Sequence, residues 1–351
     1  MVDSPSLPPS GFPHTFYLSA QRPADLATFL TTVGQLAPGE RVLAVERAGD
    51  GNMNCTVRVL TDRGSFIVKQ SRPWVEKYPQ FAAPWDRTLR EAEFYRLVSL
   101  RPEVAKFLPQ IRAVDPDARV LILEDLGAAS DYTGVYRGDV FTRDEVQHLG
   151  RFLSALHHPG AEEEPRDLTN REMRQLNHAH IFEIPLQPAN GLDLDALTPG
   201  LAQVAHSLKK DPRYCRETAR LGREAYLSDG PSLLHGDFFP GSLLRTPAGP
   251  RVIDPEFGFF GRPEFDAAVF LAHLTLSGQS TDLAPAWRSA YAAPSSFDDA
   301  LMRQLTGVEI MRRLIGYAQL PVGYGLARKQ ELLELSRDLV LEPRVHPLLP
   351  V

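Results

Sequence analysis

Leu233-Leu234-His235-Gly236-Asp237-Phe238-Phe239-Pro240-Gly241-Ser242 and Arg251-Val252-Ile253-Asp254-Pro255-Glu256 carry the clearest structural signal in the chain. Each opens on an apolar run of strand type and ends in a polar turn that carries carboxylates. Ser242 follows Asp237 by five residues. One carboxylate can orient a hydroxyl and accept its proton, while others hold Mg²⁺ against phosphates, which is what phosphoryl transfer to an alcohol needs. Magnesium takes oxygen ligands and keeps several waters, so one or two carboxylates suffice. Taken singly, an acid at a strand end is as readily a turn former or a helix cap. The combination of His-Gly-Asp, the step to Ser and a strand ending in Asp-Pro-Glu is far less ordinary. His235, two residues before Asp237, reads as a brace for the loop rather than as a general base.

Around this β island the sequence is helical in pattern. Apolar residues recur at helical spacing over 143–157, 201–208, 213–227, 265–276, 300–319 and 327–341. The first third differs. Arg41 to Glu46 alternates apolar and polar residues and is followed by the turn-rich Gly49-Asp50-Gly51-Asn52. Strand-like runs then cover 56–60 and 65–69, a helix 86–99, and two more strands 111–114 and 119–123. A mainly β segment with one long helix, then a mainly α segment with a β island, predicts an α+β chain of two lobes. The expected division is 1–124 for a nucleotide-binding lobe and 125–351 for a catalytic and substrate lobe. No repeat suggests a solenoid.

The composition supports a large core: 43% of the 351 residues are apolar and 23% charged. A net charge of −6 without basic blocks argues against a surface built for nucleic acid or anionic lipid. Cys55 and Cys215 lack metal-ligand spacing and read as reduced thiols. The first residues lack the basic and apolar regions of a signal peptide, and no apolar run is long enough to span a bilayer. A cytoplasmic location is expected.

The first lobe has the parts of a nucleotide site. Gly49 and Gly51, with Asn52, lie in the turn between the first two strands, where glycine permits close backbone approach to phosphate. Lys69 ends the third strand, and the helix that follows supplies Glu91 and Glu93. These two acids lie about 200° apart around a helix, so only one can face the lysine; Glu91 is the expected partner. Glu124 and Leu126, in Glu124-Asp125-Leu126-Gly127, close the last strand of the lobe, where an adenine would meet backbone groups.

This set of residues resembles the small-molecule branch of the protein-kinase-like fold, which includes aminoglycoside phosphotransferases and choline kinases. Within that branch it is most similar to the 5-methylthioribose kinases. The likeness runs from Phe16-Tyr17-Leu18 to the last long helix and rests on Gly49-Asp50-Gly51-Asn52-Met53-Asn54, on Ser242 and on Val252-Ile253-Asp254-Pro255-Glu256-Phe257. At the Ser242 position most of the branch carries Asn. The resemblance implies a bilobal fold, a small antiparallel sheet lobe and a larger helical lobe, with ATP and Mg²⁺ as cofactors. It implies that Asp237 is the catalytic base, that Asp254 and Glu256 hold Mg²⁺ with Ser242 at the metal position, and that Lys69 aligns the phosphates. Asp266, in Glu264-Phe265-Asp266, matches an acid that ties down the catalytic loop. Arg312 and Arg313, in Glu309-Ile310-Met311-Arg312-Arg313-Leu314-Ile315-Gly316, match a helix whose paired arginines hold the sugar. The implied reaction is phosphorylation of 5-methylthioribose to its 1-phosphate in methionine salvage, by a homodimer.

Two departures bear on the acceptor. Methylthioribose kinases typically read Leu-His-Thr-Gly-Ser after the catalytic Asp, whereas this chain has Phe238-Phe239-Pro240-Gly241-Ser242, and it is shorter than most members. An antibiotic phosphotransferase is the alternative enzyme reading, although guanidinium groups repel an amine-rich acceptor. A nucleotide-binding module without catalysis is the alternative from another class.

Overall fold

The computed structural model describes residues 12, 16–49, 51, 53–158 and 168–351, and it divides into two compact units, Met1–Ala128 and Ala129–Val351. Asn52 of the expected phosphate turn lies outside the described residues, as does Asp50.

In the first unit, helix α1 (Pro23–Thr32) precedes β1 (Val42–Arg47), β2 (Cys55–Thr61) and β3 (Gly64–Gln70). A short hairpin, β4 (Trp74–Val75) and β5 (Tyr78–Ala82), leads into α2 (Arg87–Ser99) and the single turn α3 (Pro102–Ala105). Strands β6 (Ile111–Asp115) and β7 (Val120–Glu124) complete an antiparallel sheet of order β1-β2-β3-β7-β6. Strict alternation along β2 buries Cys55, Val57, Val59 and Thr61, so one face turns inward. That face, with Phe66 and Val68 of β3 and Val120 and Ile122 of β7, packs on Leu26 and Leu30 of α1. The hairpin was not expected from sequence, because Pro79 and Pro84 mask its short pairing. The unit extends past Glu124 to Ala128, and Arg58 of β2 shows why. Its guanidinium grips the Asp125 carboxylate through two nitrogens at 2.9 Å and donates to the Gly127 carbonyl at 2.9 Å.

The second unit begins with β8 (Ser130–Asp131) and contains the helices α4 (Arg143–His157), α5 (Arg171–His178), α6 (Leu194–Leu197), α7 (Leu201–Lys209) and α8 (Pro212–Leu221). The β island follows: β9 (Ser232–Leu234), β10 (Leu243–Thr246), β11 (Gly249–Val252) and β12 (Phe259–Gly261). Helices α9 (Glu264–Leu276), α10 (Leu283–Ala290), α11 (Asp299–Ile315) and α12 (Leu326–Leu341) close the chain. Their starts follow capping chemistry. Thr142 and Glu145 form a capping box on α4, Asp211 caps α8 ahead of Pro212, and Asp298 caps α11. The helix expected over 213–227 is α8 continued by a π-turn, Gly222–Tyr226, and a second π-turn, Ala179–Glu183, extends α5. The two π-turns pack together: a Cβ on Gly222 would lie 2.5 Å from His178 Nε2 and 2.9 Å from Phe182. Helix α11 stops at Ile315 rather than running to Gln319, because Gly316 leaves helical geometry and abuts the Arg312 carbonyl.

Every residue of α9 is buried, and it packs against α11. A helix apolar on all sides belongs in a core, so its polar residues need partners. Asp266 and His273 lie two turns apart on one face of α9, and both have them, as described below. Among the described residues no helix is long and apolar enough to cross a membrane.

Candidate active site

β9 pairs with β12 and β10 with β11, so Asp237 and Asp254 follow strands of two separate small sheets. The loop after β9 joins them. His235 Nε2 donates to the Ile253 carbonyl at 2.9 Å, which leaves Nδ1 to accept the Asp237 N–H at 3.3 Å. Both ring nitrogens are thereby engaged in holding the loop. The Asp266 carboxylate accepts the N–H of His235 at 2.7 Å and of Gly236 at 2.9 Å. It also takes His157 Nε2 at 3.2 Å, and His157 Nδ1 meets the Tyr291 hydroxyl at 2.8 Å. A fully buried carboxylate with three donors is a rigid anchor. Gly236 sits at φ +82°, where a Cβ would collide with the Phe257 carbonyl oxygen. The two carboxylate-bearing turns therefore approach through a position that only glycine fills without strain.

Asp254 adopts a left-handed conformation, φ 60°, uncommon for a residue with a side chain. Such backbone persists where its surroundings over-determine it, and it clusters at functional sites. The turn Pro255–Phe257 follows directly and carries Glu256, which is buried. Asn170, itself left-handed, donates its amide to the carbonyls of Glu256 at 2.8 Å and Gly258 at 3.0 Å. Ser242 is buried one step before β10, and its carbonyl accepts the Ile253 N–H at 3.0 Å, so Ser242 stands opposite Ile253, the residue before Asp254. Among the described residues no three His, Cys, Asp or Glu side chains converge as a metal site. The donor chemistry of Asp254, Glu256 and Ser242, two carboxylates and a hydroxyl, is of the hard-oxygen type that Mg²⁺ accepts together with water.

Helix α11 supplies the arginines. Glu309, Arg312 and Arg313 are spaced i, i+3 and i+4, so they share one face. Arg312 Nη1 reaches Glu309 Oε2 at 3.0 Å, and Arg313 Nε reaches Oε1 at 2.6 Å. The Arg313 Nη2 lies 3.4 Å and the Arg312 Nη1 4.0 Å from Asp237 Oδ1. Phe239 lies under the Arg313 guanidinium at 4.7 Å. Arg312 also meets Asn177 Oδ1 at 3.5 Å, and Asn177 donates to the Tyr226 hydroxyl at 3.0 Å. Burial pushes the Asp237 carboxyl up, and the two arginines reduce that rise without cancelling it. Burial works the same way on Glu309, but there Arg312, Arg313 and the His273 hydrogen bond prevail and hold the carboxyl well below its ordinary range.

The first unit presents a second constellation. Lys69 Nζ lies 2.5 Å from Glu91 Oε2, and both side chains are buried. Glu93 instead pairs with Arg90 at 2.7 Å on the outer side of α2. Gly49 takes φ +73°, and Gly51 has open space where a Cβ would be. Glu124 accepts the Gln110 N–H at 3.1 Å, and half-buried Leu126 follows it, next to the Asp125 that Arg58 holds. Arg87, fully buried, donates to the carbonyls of Arg72 at 2.6 Å, Pro84 at 2.8 Å, Met53 at 2.5 Å and Trp74 at 3.1 Å. It ties the segment after Gly51 to the chain that leaves β3.

Within the second unit the structure thus brings Asp237 to Arg312 and Arg313, and sets Ser242 opposite Ile253, one residue before Asp254. Within the first it brings Lys69 to Glu91. Sequence reasoning missed Asn170, Asn177, Glu309, His273, Arg58 and Arg87 as parts of these sites. Glu309 alone left a local sign, the i, i+3, i+4 spacing to the arginines.

Comparison with known proteins gives a consistent result. The chain is 25% identical over 361 aligned positions to a methylthioribose kinase of Geobacillus sp. (strain WCH70), covering 88% of each chain. It is 26% identical to the methylthioribose kinase of Geobacillus kaustophilus (strain HTA426), covering 86% of this chain and 88% of that one. Among solved structures, a choline/ethanolamine kinase family protein from Mesorhizobium loti superposes with a TM-score of 0.52 at 16% identity, over 92% of this chain and 98% of that one. That last likeness speaks to the fold, which is protein-kinase-like. The model of the phosphotransferase enzyme family matches residues 44–305, about three quarters of the chain, and the protein belongs to that family.

Proposed function

We propose that the protein is an ATP-dependent kinase of a neutral sugar hydroxyl, with 5-methylthioribose as the acceptor and its 1-phosphate as the product. The observation that carries this reading is the meeting of Asp237 with Arg313 and Arg312, at 3.4 and 4.0 Å, on a loop anchored by Asp266. Asp237 orients the acceptor hydroxyl and takes its proton. Its raised affinity for protons suits it to that task. Arg312 and Arg313 hold the remaining hydroxyls, with directional donors that an amine-rich antibiotic would not match. Lys69, aligned by Glu91, holds phosphate oxygens of ATP, and the turn with Gly49 and Gly51 covers them. The backbone of Glu124–Leu126 meets the adenine. Asp254 and Glu256, with Ser242, would hold Mg²⁺, which supplies neutralisation of phosphate charge. Rate enhancement comes from positioning and from charges fixed before the reaction.

The methylthioribose kinases of Geobacillus support the choice of acceptor. The enzyme works in the cytoplasm as a homodimer in this reading, in accord with two cysteines that form no disulfide. The test is ATP consumption by the purified protein with 5-methylthioribose, ribose, related thio-sugars and aminoglycosides. A clear preference for 5-methylthioribose is expected. Turnover of amines alone would overturn the assignment.

A further inference from the structure

Asp237, Arg312, Arg313 and Glu309 place two anions and two cations within one buried cluster. Four neighbours, His273, His180, Tyr136 and Tyr226, add no charge near neutral pH. Burial holds His273 at about 4, and burial with Arg312 lowers His180. Burial likewise keeps the hydroxyls of Tyr136 and Tyr226 protonated. The four ion-paired side chains therefore sum to zero charge, and Glu309 is what offsets the second arginine. Without Glu309, two guanidinium groups would face a single carboxylate.

Glu309 is also held with unusual care. Its carboxylate takes Arg312, Arg313 and, at 3.2 Å, His273 Nε2. Because that nitrogen donates, His273 Nδ1 is bare and accepts the Tyr136 hydroxyl at 2.6 Å. A chain of hydrogen bonds thus runs from Tyr136 through α9 to α11 and ends at the arginines that face Asp237.

We propose that Glu309 is the specificity-determining residue that keeps the acceptor site uncharged, so that it takes a neutral polyol and refuses sugar phosphates. This rests on the kinase reading above and adds to it the residue that sets the charge of the acceptor. His273 and Tyr136 are positioning residues that act through Glu309. In buried surroundings one uncompensated charge is felt strongly over a few ångströms, so loss of the carboxylate converts the site into an anion trap.

The test is isothermal titration calorimetry of the full chain with ribose 5-phosphate and with 5-methylthioribose. Wild type should bind the neutral sugar in preference to the phosphate. Glu309→Gln should gain affinity for ribose 5-phosphate by about tenfold or more, lost again as salt is added. A double variant, Glu309→Gln with Arg312→Gln, removes one charge of each sign and should return phosphate affinity to the wild-type level. Should the single variant fail to fold, the wild-type preference and the double variant still decide. His273→Asn keeps the Glu309 charge while removing its support, and should raise the KM for the neutral sugar with kcat largely kept and no gain in phosphate binding. Equal phosphate affinity in wild type and Glu309→Gln, or tighter binding of phosphate than of neutral sugar by wild type, would overturn the proposal. Calorimetry needs no turnover, so a wild-type protein that phosphorylates no sugar would sink the kinase reading and leave this comparison standing.

Discussion

His273 offers a quantitative handle on the buried cluster. Burial drives its imidazole down from an ordinary 6.5 to about 4, against the pull of Glu309. In the unfolded chain the same group protonates near 6.5. The stability it contributes is therefore complete above pH 6.5 and is lost as pH falls from 6.5 to about 4, where the unfolded state binds a proton and the folded state does not. At about 1.4 kcal/mol for each tenfold difference in proton affinity, the loss amounts to about 3 kcal/mol by pH 4. Glu309 stays ionised through this window, because its carboxyl is held well below its ordinary range. His273→Gln keeps an N–H for Glu309 and cannot titrate. Urea unfolding of the second unit, followed from pH 7 to pH 4 in both proteins, isolates the effect as the difference between them. Wild type should lose about 3 kcal/mol more than the variant over that range. Parallel curves would refute the reasoning and mean that the imidazole is protonated inside the fold.

Further outcomes follow from the same geometry. Asp237→Asn should retain nucleotide binding, read by calorimetry with ATP, while turnover falls by roughly 10²–10⁴-fold; near-normal turnover would remove Asp237 from its role. Lys69→Met removes the ammonium that pairs with the buried Glu91 carboxylate and should cost the first unit roughly 3–5 kcal/mol, with a smaller loss when Glu91→Met is added; equal losses in denaturant melts would show that the pair is not coupled. Gly236→Ala should destabilise by roughly 1–3 kcal/mol and abolish turnover, because the loop cannot keep φ +82° against the Phe257 carbonyl; a wild-type melting temperature with full activity would contradict that packing.

Much of this architecture is legible in the sequence because it is local. The long helices and the five strands of the first sheet fall close to where periodicity puts them, since alternation in Cys55–Thr61 and capping at Thr142–Glu145 are properties of adjacent residues. The hairpin at 74–82 and the π-turns at 179–183 and 222–226 are not legible. The hairpin has two short strands with prolines nearby, and the π-turns arise where Gly222 packs against His178 and Phe182 from another helix.

The candidate site divides in the same way. A strand that runs into His-Gly-Asp, another that runs into Asp-Pro-Glu, and a lysine followed by an acidic helix are patterns within short windows, so local order along the chain suffices to nominate the side chains for the chemistry. Which acid the lysine meets, Glu91 and not Glu93, could be narrowed by helical geometry, but the 2.5 Å pair is a property of the packed unit. The bracing roles of His235 and Asp266 were foreseen from the sequence, but most of what holds the candidates is set by packing. Tyr136 meets His273, Asn170 meets the Glu256 turn, and Arg58 meets Asp125 across separations that no local pattern encodes. Buried polar groups must find partners wherever the chain brings them. Those partners turn a row of plausible residues into a site with fixed geometry and balanced charge.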